Sequence, residues 1–324
     1  MPLVLKRQAS ARRAVDGVLL LDKPTGITSN AALQRVKRAF AAQKAGHVGT
    51  LDPMASGLLP VCLGEATKFS TDTFSADKSY EAEVLLGVTT STGDREGEVT
   101  ARRAVDVARD RLLAVLATFT GASEQTPPMY SALKRDGKPL YEYARAGVTV
   151  ERAPRNITIH KIVLLDFAAD RVRIDVSCTK GTYIRVLAED IGAALGCGAT
   201  LEGLRRTCVG NFDLSRAVTL EALEQAAEAA RTDCLLPVET LVAQLTAITL
   251  DPGAAALILQ GQAVLTGAGA GILGTVRVYD TNRAFLGLAE LQSGGRLLPK
   301  RLLAAAGRGA VAALAHQLPS PKIA

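Results

Sequence analysis

A single carboxylate lies in a tightly turning and otherwise apolar segment. Asp52 is the only acid between Gly46 and Pro60, a run that contains three glycines and two prolines. Such residues favour turns and close backbone approaches over a regular helix. The leucine and methionine neighbours should remove the carboxylate partly from water, and a desolvated carboxylate needs a cationic partner to remain ionised. Asp52 is therefore the first candidate for acid–base or nucleophilic chemistry.

Three further side chains could join Asp52 in a site. Tyr80 stands near the start of a predicted strand, and Tyr183 and Arg185 follow an alternating strand pattern. From there the apolar residues keep helical spacing until Gly196, which places both residues in the first turn of a helix. Each residue alone is equally well explained as a turn, core or surface residue. Because junctions between strands and helices commonly carry functional side chains, the combination favours a site.

The elements that would position these residues follow from periodicity and turn signals. Strands are predicted at 17–21, 79–86, 96–101 and 171–178, and helices at about 105–119, 184–195 and 219–230. A further helix should begin at Ser29, which is a plausible N-cap. The composition changes near Asp251, which predicts a separate β-rich module after it. The apolar face of the 105–119 helix is expected to consist of Leu112, Leu113, Leu116 and Phe119.

Basic charge is concentrated in two stretches. The chain of 324 residues has a formal net charge of +6, and residues 1–44 hold nine Lys or Arg against two acids. Residues 134–161 hold seven against three, and they overlap a segment, 121–155, in which tyrosines are interleaved with basic side chains. Aromatic faces and guanidinium groups suit unpaired bases and phosphates, although aromatic-rich stretches also fill cores. We interpret 121–155 as a protruding basic arm.

The composition argues against several other classes of protein. The five cysteines have no C-x-x-C spacing and the three histidines are far apart, so neither disulfides nor a metal site is expected. No apolar signal-peptide core is found near the N-terminus, and the uncharged stretch 252–276 is broken by glycines. These features predict a cytoplasmic protein without membrane spans, in which 252–276 forms short strands and turns.

Taken together, the motifs resemble the bacterial tRNA pseudouridine-55 synthase family. They occur in the order typical of that family, which makes the resemblance specific, while beyond residue 250 it concerns length and position alone. The matching blocks are Leu21-Asp22-Lys23-Pro24-x-Gly26, Gly46-His47-x-Gly49-x-Leu51-Asp52-Pro53 continuing through Gly64-Glu65-Ala66-Thr67-Lys68, Lys78-x-Tyr80, Pro127-Pro128-x-Tyr130-Ser131-Ala132-x-Lys134, Cys178-x-Lys180-Gly181-Thr182-Tyr183-Ile184-Arg185 and Leu201-x-x-Leu204-Arg205-Arg206-Thr207.

The resemblance implies a role for each matching residue. Asp52 would be the catalytic aspartate, as nucleophile or base, and Arg185 its partner, for which we expect a bidentate pairing. Tyr80 would stack on the target uracil and assist proton transfer at C5, and Tyr183 would line the same pocket. The chemical step of Asp52 stays open. The residues implied in substrate binding are His47, Lys23, Asp94, Leu204, Lys68, Tyr130, Lys134 and Arg135.

The resemblance also implies the architecture and the partners. We expect an α+β fold with a mixed, largely antiparallel central sheet flanked by helices, which is the pseudouridine synthase fold. The catalytic domain would span 1–247 with the arm at 121–155, a small β-rich PUA-like domain would span 248–316, and 317–324 would form a tail. The expected partner is the T-arm stem-loop of tRNA. We expect this protein to bind the stem-loop as a monomer, and to need no cofactor, metal, membrane or obligatory protein partner.

The implied reaction is isomerisation of the T-loop uridine at position 55 after base flipping, but other functions stay open. A non-catalytic RNA-binding or tRNA-folding factor could share the basic surface, although it would not need the four pocket residues. An aspartate-dependent nucleoside hydrolase would share the chemistry at the anomeric carbon, but it usually needs a second carboxylate. A guide-RNA-dependent relative could share the aspartate block, whereas the basic arm favours the stand-alone type.

Overall fold

The computed structural model describes residues 12–71, 75–267 and 273–304. The expected tail 317–324 and the last part of the expected C-terminal domain lie outside these residues. The described helices are α1 (Ser29–Ala39), α2 (Arg109–Thr118), α3 (Leu140–Arg145), α4 (Ile184–Leu195), α5 (Leu220–Gln225), α6 (Glu228–Asp233) and α7 (Pro252–Leu259), with 3-10 turns at Gly64–Lys68, Leu214–Arg216, Val238–Val242 and Ser293–Gly295.

Short and long strands make up the rest of the regular structure. They are β1 (Gly17–Lys23), β2 (Ala45–His47), β3 (Ser56–Leu63), β4 (Lys78–Leu86), β5 (Val88–Thr90), β6 (Val99–Arg102), β7 (Gly121–Gln125), β8 (Lys134–Arg135), β9 (Lys138–Pro139), β10 (Arg155–Ala168), β11 (Arg171–Cys178), β12 (Ala199–Val209), β13 (Phe212–Asp213), β14 (Val218–Thr219), β15 (Leu235–Leu236), β16 (Ala247–Thr249), β17 (Val264–Leu265), β18 (Gly274–Tyr279), β19 (Phe285–Leu291) and β20 (Arg296–Leu302).

The main sheet is mixed and largely antiparallel, as expected. Its order is β14-β1-β3-β12-β4-β11-β10-β7, with β2, β13 and β15 attached at the side. The pairs β1–β14 and β3–β12 are parallel, whereas β1–β3, β4–β12, β4–β11 and β10–β11 are antiparallel. Because β12 lies between β3 and β4, the middle of the sheet brings together segments that are far apart in sequence.

The apolar core forms where the alternation predicted it. On β11, Val172, Ile174, Val176 and Cys178 are all buried, and they share one cluster with the apolar face of α4. That helix ends at Gly196, whose φ of 85° is the left-handed C-cap conformation that glycine adopts without strain. The strand and the helix that flank the Tyr183–Arg185 junction are therefore fixed by burial on both sides of it.

Several sequence-based boundaries were wrong at the helix ends. The N-cap of α1 is Thr28, whose side chain accepts from the Ala31 amide, whereas Ser29 lies inside the helix. The helix predicted at 105–119 spans Arg109–Thr118. Its Leu113 is 43% exposed and so, contrary to the expectation, does not belong to the buried apolar face. The single helix predicted at 219–230 is two short helices, α5 and α6, and the strand predicted at 96–101 covers Val99–Arg102.

The basic arm and the C-terminal region also differ from their predictions. Residues 121–125 belong to the main sheet as β7, so the arm proper is the segment 126–154 between β7 and β10, with the β8–β9 hairpin and α3. The stretch 252–276 contains the helix α7, which Asp251 caps by accepting from the Ala254 amide. A capped apolar helix was mistaken for strands because its apolar run carries no clear periodicity.

The C-terminal module is β-rich, as expected. Strands β16 to β20 form a second sheet in the order β16-β18-β19-β20-β17. Phe285, Leu288 and Leu303 of this module are buried in the same apolar cluster as Phe69 and Val238 of the main domain. The two parts of the chain therefore share a hydrophobic core at their junction.

Candidate active site

Asp52 lies in a loop that closes a short hairpin. Strands β2 and β3 pair antiparallel from Ala45–Leu63 to His47–Val61. The segment 48–58, here called the catalytic loop, follows β2 and includes the first three residues of β3. The Ser29 hydroxyl donates to the Leu51 carbonyl and accepts from the Leu51 amide, at 2.9 and 2.8 Å. The buried Ser29 side chain thus holds this loop in place and does not cap α1.

Arg185 is the cationic partner of Asp52. Its Nε lies 3.0 Å from Asp52 Oδ2 and 3.4 Å from Asp94 Oδ2. Its two terminal nitrogens donate to the carbonyls of Thr92, at 3.0 Å, and Tyr130, at 2.6 Å. The expected bidentate pairing was therefore wrong, because the terminal nitrogens hold backbone instead. One buried guanidinium links the catalytic loop, the Thr92–Asp94 turn and the arm.

The ionisation of Asp52 reflects opposing influences. Burial raises the pKa of the Asp52 carboxyl above its ordinary value, and Arg185 and Lys23 oppose that rise while Asp94 adds to it. An opposite charge in contact favours the carboxylate, whereas a second carboxylate nearby disfavours it. The side chain is still 38% exposed, so a ligand can reach it.

A cavity of about 530 Å³ opens beside Asp52. Asp52, Tyr80, Tyr183 and Arg185 line it together, so the four residues proposed for the pocket converge. Leu204, predicted to bind substrate, lines the same cavity. Tyr80 projects from β4 and is 9% exposed, and its burial raises the pKa of its hydroxyl. A volume of this size is typical of sites that take small ligands.

Two further residues of this region had no predicted role. Gln125, at the end of β7, donates to the Tyr183 carbonyl at 3.1 Å and accepts from the Tyr183 amide at 2.7 Å. Arg206, on β12, is 1% exposed and donates to backbone carbonyls of the catalytic loop. Arg206 stands in one of the motifs that the sequence analysis identified. The role of Gln125 could not be predicted, because its partner Tyr183 is distant in sequence.

His47 stands at the end of β2, just before the catalytic loop. Its Nδ1 is buried and makes no hydrogen bond within the described part of the chain. Burial and the Arg206 charge both lower the pKa of His47, which favours the neutral imidazole.

Three residues predicted to bind substrate are engaged by the protein itself. Lys23 is fully buried, and its ammonium donates to the carbonyls of Pro24 and Ile27, so the structure does not offer it to a phosphate. Asp94 is 4% exposed and pairs with Arg185, which assigns it to the site rather than to an RNA-facing surface. Lys68 pairs with Glu65 and donates to the Leu302 carbonyl, at the junction with the C-terminal module.

The arm presents the remaining predicted contacts. Lys134 and Arg135 are exposed on β8, and Tyr130 is 36% exposed. Arg135 donates to the Glu151 carbonyl across the arm at 2.7 Å. Because the Tyr130 carbonyl binds Arg185, the base of the arm is attached to the catalytic pair.

The described residues contain neither a metal-binding cluster nor a membrane-spanning helix. In that part of the chain, no group of His, Cys, Asp and Glu side chains is arranged to hold a metal ion. Within the same residues, every helix is too short or too polar to cross a membrane.

Comparison with known proteins identifies relatives across most of the chain. Residues 37–184 match the model of the TruB family pseudouridylate synthase N-terminal domain. Residues 185–243 match the tRNA pseudouridylate synthase B C-terminal domain, and residues 246–303 match the pseudouridine synthase II TruB C-terminal model.

Individual relatives agree with these matches. The tRNA pseudouridine synthase B of Azoarcus sp. (strain BH72) is 58% identical over 293 residues, which cover 90% of this chain and 96% of that protein. The protein of the same name from Methylobacillus flagellatus is 54% identical, with 91% and 98% covered. Among solved structures, a chain of a Cbf5-Nop10-Gar1 complex is 28% identical with a TM-score of 0.67, covering 89% of this chain and 84% of that one. The chain therefore belongs to the TruB family of pseudouridylate synthases.

Proposed function

We propose that this protein isomerises the uridine at position 55 of tRNA to pseudouridine, with Asp52 as the catalytic group. The observation that carries the proposal is the Asp52–Arg185 contact at the wall of a cavity that Tyr80 and Tyr183 also line. The relatives named tRNA pseudouridine synthase B support tRNA as the substrate.

The reaction exchanges the N1–C1′ and C5–H bonds of the uridine for C5–C1′ and N1–H bonds. The N1–C1′ bond of the uridine is cleaved, the uracil turns, C5 bonds to C1′, and the proton from C5 leaves while N1 gains one. A carboxylate can act in this sequence as nucleophile, as base or by stabilising positive charge at the anomeric carbon, as in glycoside cleavage. The exposed Asp52 oxygen and the adjacent Arg185 suit each of these roles.

Access to C1′ requires the uridine to leave its stack. Extruding a base costs a few kcal/mol, and stacking on an aromatic side chain returns about 1–3 kcal/mol. Tyr80 and Tyr183 offer such faces inside the cavity. We assign the stacking face to Tyr80 because it lies on the rigid centre of the main sheet.

The rest of the surface would hold the RNA. Lys134, Arg135 and Tyr130 of the arm are our candidates for contacts with the T-arm. We divide the chain into a catalytic domain, 1–247, and a PUA-like domain, 248–316, and the separate match of 246–303 supports that division. We further propose that the protein acts as a cytoplasmic monomer without an obligatory protein partner.

Tritium release provides the test. A T-arm hairpin with tritium at C5 of the target uridine is incubated with the native chain and with Asp52→Asn, and hairpin binding is measured alongside. We expect release by the native chain and none by the variant, which should still bind the hairpin. Asp106→Asn changes an exposed acid far along the chain and serves as the matched control.

The products separate the alternatives. Isomerised RNA of unchanged mass supports the proposal, whereas free uracil would identify a hydrolase. A folded native chain that binds the hairpin without releasing tritium would be a binding or folding factor, and the catalytic role of Asp52 would be rejected.

A further inference from the structure

Arg206 is a buried cation that the proposed reaction does not use. It is 1% exposed and is among the largest fully buried side chains of the described residues. No salt bridge within that part of the chain involves it, and burial lowers the pKa of its guanidinium. Burying a charge without a carboxylate partner is costly unless hydrogen bonds compensate. Its hydrogen bonds therefore indicate what it does.

Those hydrogen bonds join the two ends of the catalytic loop. Arg206 Nε donates to the Leu58 carbonyl at 2.7 Å, where the loop ends. Its Nη2 donates to the carbonyls of Gly49, at 2.9 Å, and Val48, at 3.5 Å, where the loop begins. The last backbone contact of the hairpin, from the Val48 amide to the Pro60 carbonyl, lies just outside. One guanidinium thus closes the neck of the loop that carries Asp52.

Two glycines of the catalytic loop lie so close to Arg206 that a side chain on either of them would meet it. A Cβ on Gly57 would lie 2.2 Å from the Arg206 carbonyl oxygen, and a Cβ on Gly49 would lie 3.1 Å from Arg206 Nη1. Both glycines also have positive φ, of 97° and 73°. The parallel pairing of β3 and β12 occurs at this point, with Arg206 opposite Gly57. Two of the loop glycines are therefore required by the position of Arg206.

Arg206 also lies beside the aromatic side of the pocket. It stands directly opposite Tyr80 in the antiparallel pairing of β4 and β12, and both residues line the cavity beside Asp52. Side chains directly opposite each other on neighbouring strands project to the same face of a sheet. The loop neck and Tyr80 therefore meet at one residue.

We propose that Arg206 is a positioning residue, which fixes the catalytic loop and Tyr80 relative to each other so that Asp52 meets the flipped nucleotide in the reactive geometry. This inference rests on the proposed function. Misplacement of a reacting group by about 1 Å can cost 100-fold in rate, so a rigid neck matters for the chemical step more than for RNA binding. Lysine cannot replace arginine here, because an ammonium lacks the planar set of donors that spans the three carbonyls of Leu58, Gly49 and Val48.

The test compares two neighbouring arginines. Arg206→Lys and Arg205→Lys are measured in full-length protein with enzyme in excess over the C5-tritiated hairpin. Arg205 lies next in sequence, but its side chain pairs with Asp22 in two hydrogen bonds of 3.0 and 2.7 Å instead of entering the loop. The single-turnover rate constant reports folded enzyme, while any unfolded fraction lowers the amplitude instead.

For Arg206→Lys we expect a fall in the single-turnover rate constant of about 100-fold, with the hairpin Kd unchanged. Arg205→Lys should keep both values. A rate constant for Arg206→Lys close to that of the native chain would overturn the proposal, as would a loss of amplitude with an unchanged rate constant, which would show a merely structural role. If the native chain itself releases no tritium, the proposed function fails instead, and that outcome is distinguishable from these.

If Arg206→Lys yields no folded protein, Gly49→Ala disturbs the same group from the loop side, because the added methyl group would press against Arg206 Nη1. Gly196→Ala is the matched control, since Gly196 has a similar positive φ of 85° while its added Cβ would meet no described neighbour within 4 Å. We expect Gly49→Ala, and not Gly196→Ala, to lower the single-turnover rate constant with the hairpin Kd unchanged. A rate constant for Gly49→Ala equal to that of the control would overturn the proposal.

Discussion

At the scale of single residues, the site is organised by what Arg185 contacts. Its side chain is 5% exposed and touches two carboxylates, Asp52 and Asp94, of which Asp52 faces the cavity. Asp94 is held in place by the Thr92 hydroxyl and the Glu96 amide, which both donate to its Oδ1. Asp94 therefore sets the position of Arg185, and Arg185 sets that of Asp52.

Arg185→Lys should lose most of the activity. An ammonium cannot reach Asp52 and the carbonyls of Thr92 and Tyr130 at once, so buried acceptors lose their donors, at about 1–3 kcal/mol each. We expect the single-turnover rate to fall by about 100-fold or more. Arg173→Lys is the matched control, since Arg173 is half exposed and pairs with Glu81 at the surface. Near-native turnover by Arg185→Lys would contradict the assigned role.

Asp94→Asn should move the acid limb of the pH–rate profile to lower pH. The Asp94 charge raises the pKa of the Asp52 carboxyl, so its removal lowers that pKa, and Arg185 is left with one carboxylate. The ionised form of Asp52 would then persist at lower pH. The measurement is the single-turnover rate against pH for the native chain, for Asp94→Asn and for Asp110→Asn, an exposed control. An acid limb that stays in place or moves upward would refute this account.

At the scale of elements, the site depends on contacts between segments that are distant in sequence. Helix α4 begins directly after Tyr183, which serves as its N-cap without a side-chain cap. Gln125 of β7 supplies the missing support by binding both the amide and the carbonyl of Tyr183. The junction that carries Arg185 is thus anchored to the main sheet by one amide side chain.

Gln125→Ala should destabilise this junction. The Tyr183 amide would lose its acceptor, while the Tyr183 carbonyl would keep the Leu187 amide as a donor, and we expect the free energy of unfolding to fall by about 2 kcal/mol. Urea denaturation measures the loss, with Glu124→Ala as the control, because Glu124 is the exposed neighbour on the same strand. Equal losses in the two variants would show that the side-chain contact with Tyr183 is not what stabilises the junction.

Periodicity and motifs predicted the elements better than their connections. The alternation of β11 and the helical spacing of α4 were sufficient for their bounds, since burial dictates both patterns. The motifs named Asp52, Tyr80, Tyr183 and Arg185, and the structure brings them to one cavity. The true contacts of Lys23, Ser29 and Gln125 could not be predicted, because a polar side chain in a sequence does not show which distant carbonyl or amide it meets.

At the scale of the whole molecule, a buried acid lies where the two modules meet. Glu239 follows Val238 in the shared cluster, and its Oε2 is buried without a hydrogen-bond partner among the described residues. Burial raises the pKa of this carboxyl, while Arg277 of β18 opposes the rise. The junction therefore contains a charge that folding removes from water.

Glu239→Gln should stabilise the protein at pH 8 but not at pH 4. The pKa of Glu239 is higher in the folded than in the unfolded state, so the folded state binds more protons. Stability is consequently lost as pH rises from the unfolded pKa through the folded one. A neutral glutamine avoids that loss. Urea midpoints at both pH values test this, with exposed Glu98→Gln as control. A lower midpoint for Glu239→Gln at pH 8 would contradict the prediction.

The shared cluster at the junction has a mechanical consequence. Phe285, Leu288 and Leu303 of the C-terminal module are packed with Phe69 and Leu236 of the main domain, and Glu65 accepts a hydrogen bond from the Ala304 amide at 2.6 Å. Swinging the module as a tethered body would break these apolar contacts. The protein thus presents a rigid frame of fixed span. A long ligand that touches both modules must bend to fit the frame, so the cost of shape change in such a complex is borne by the ligand.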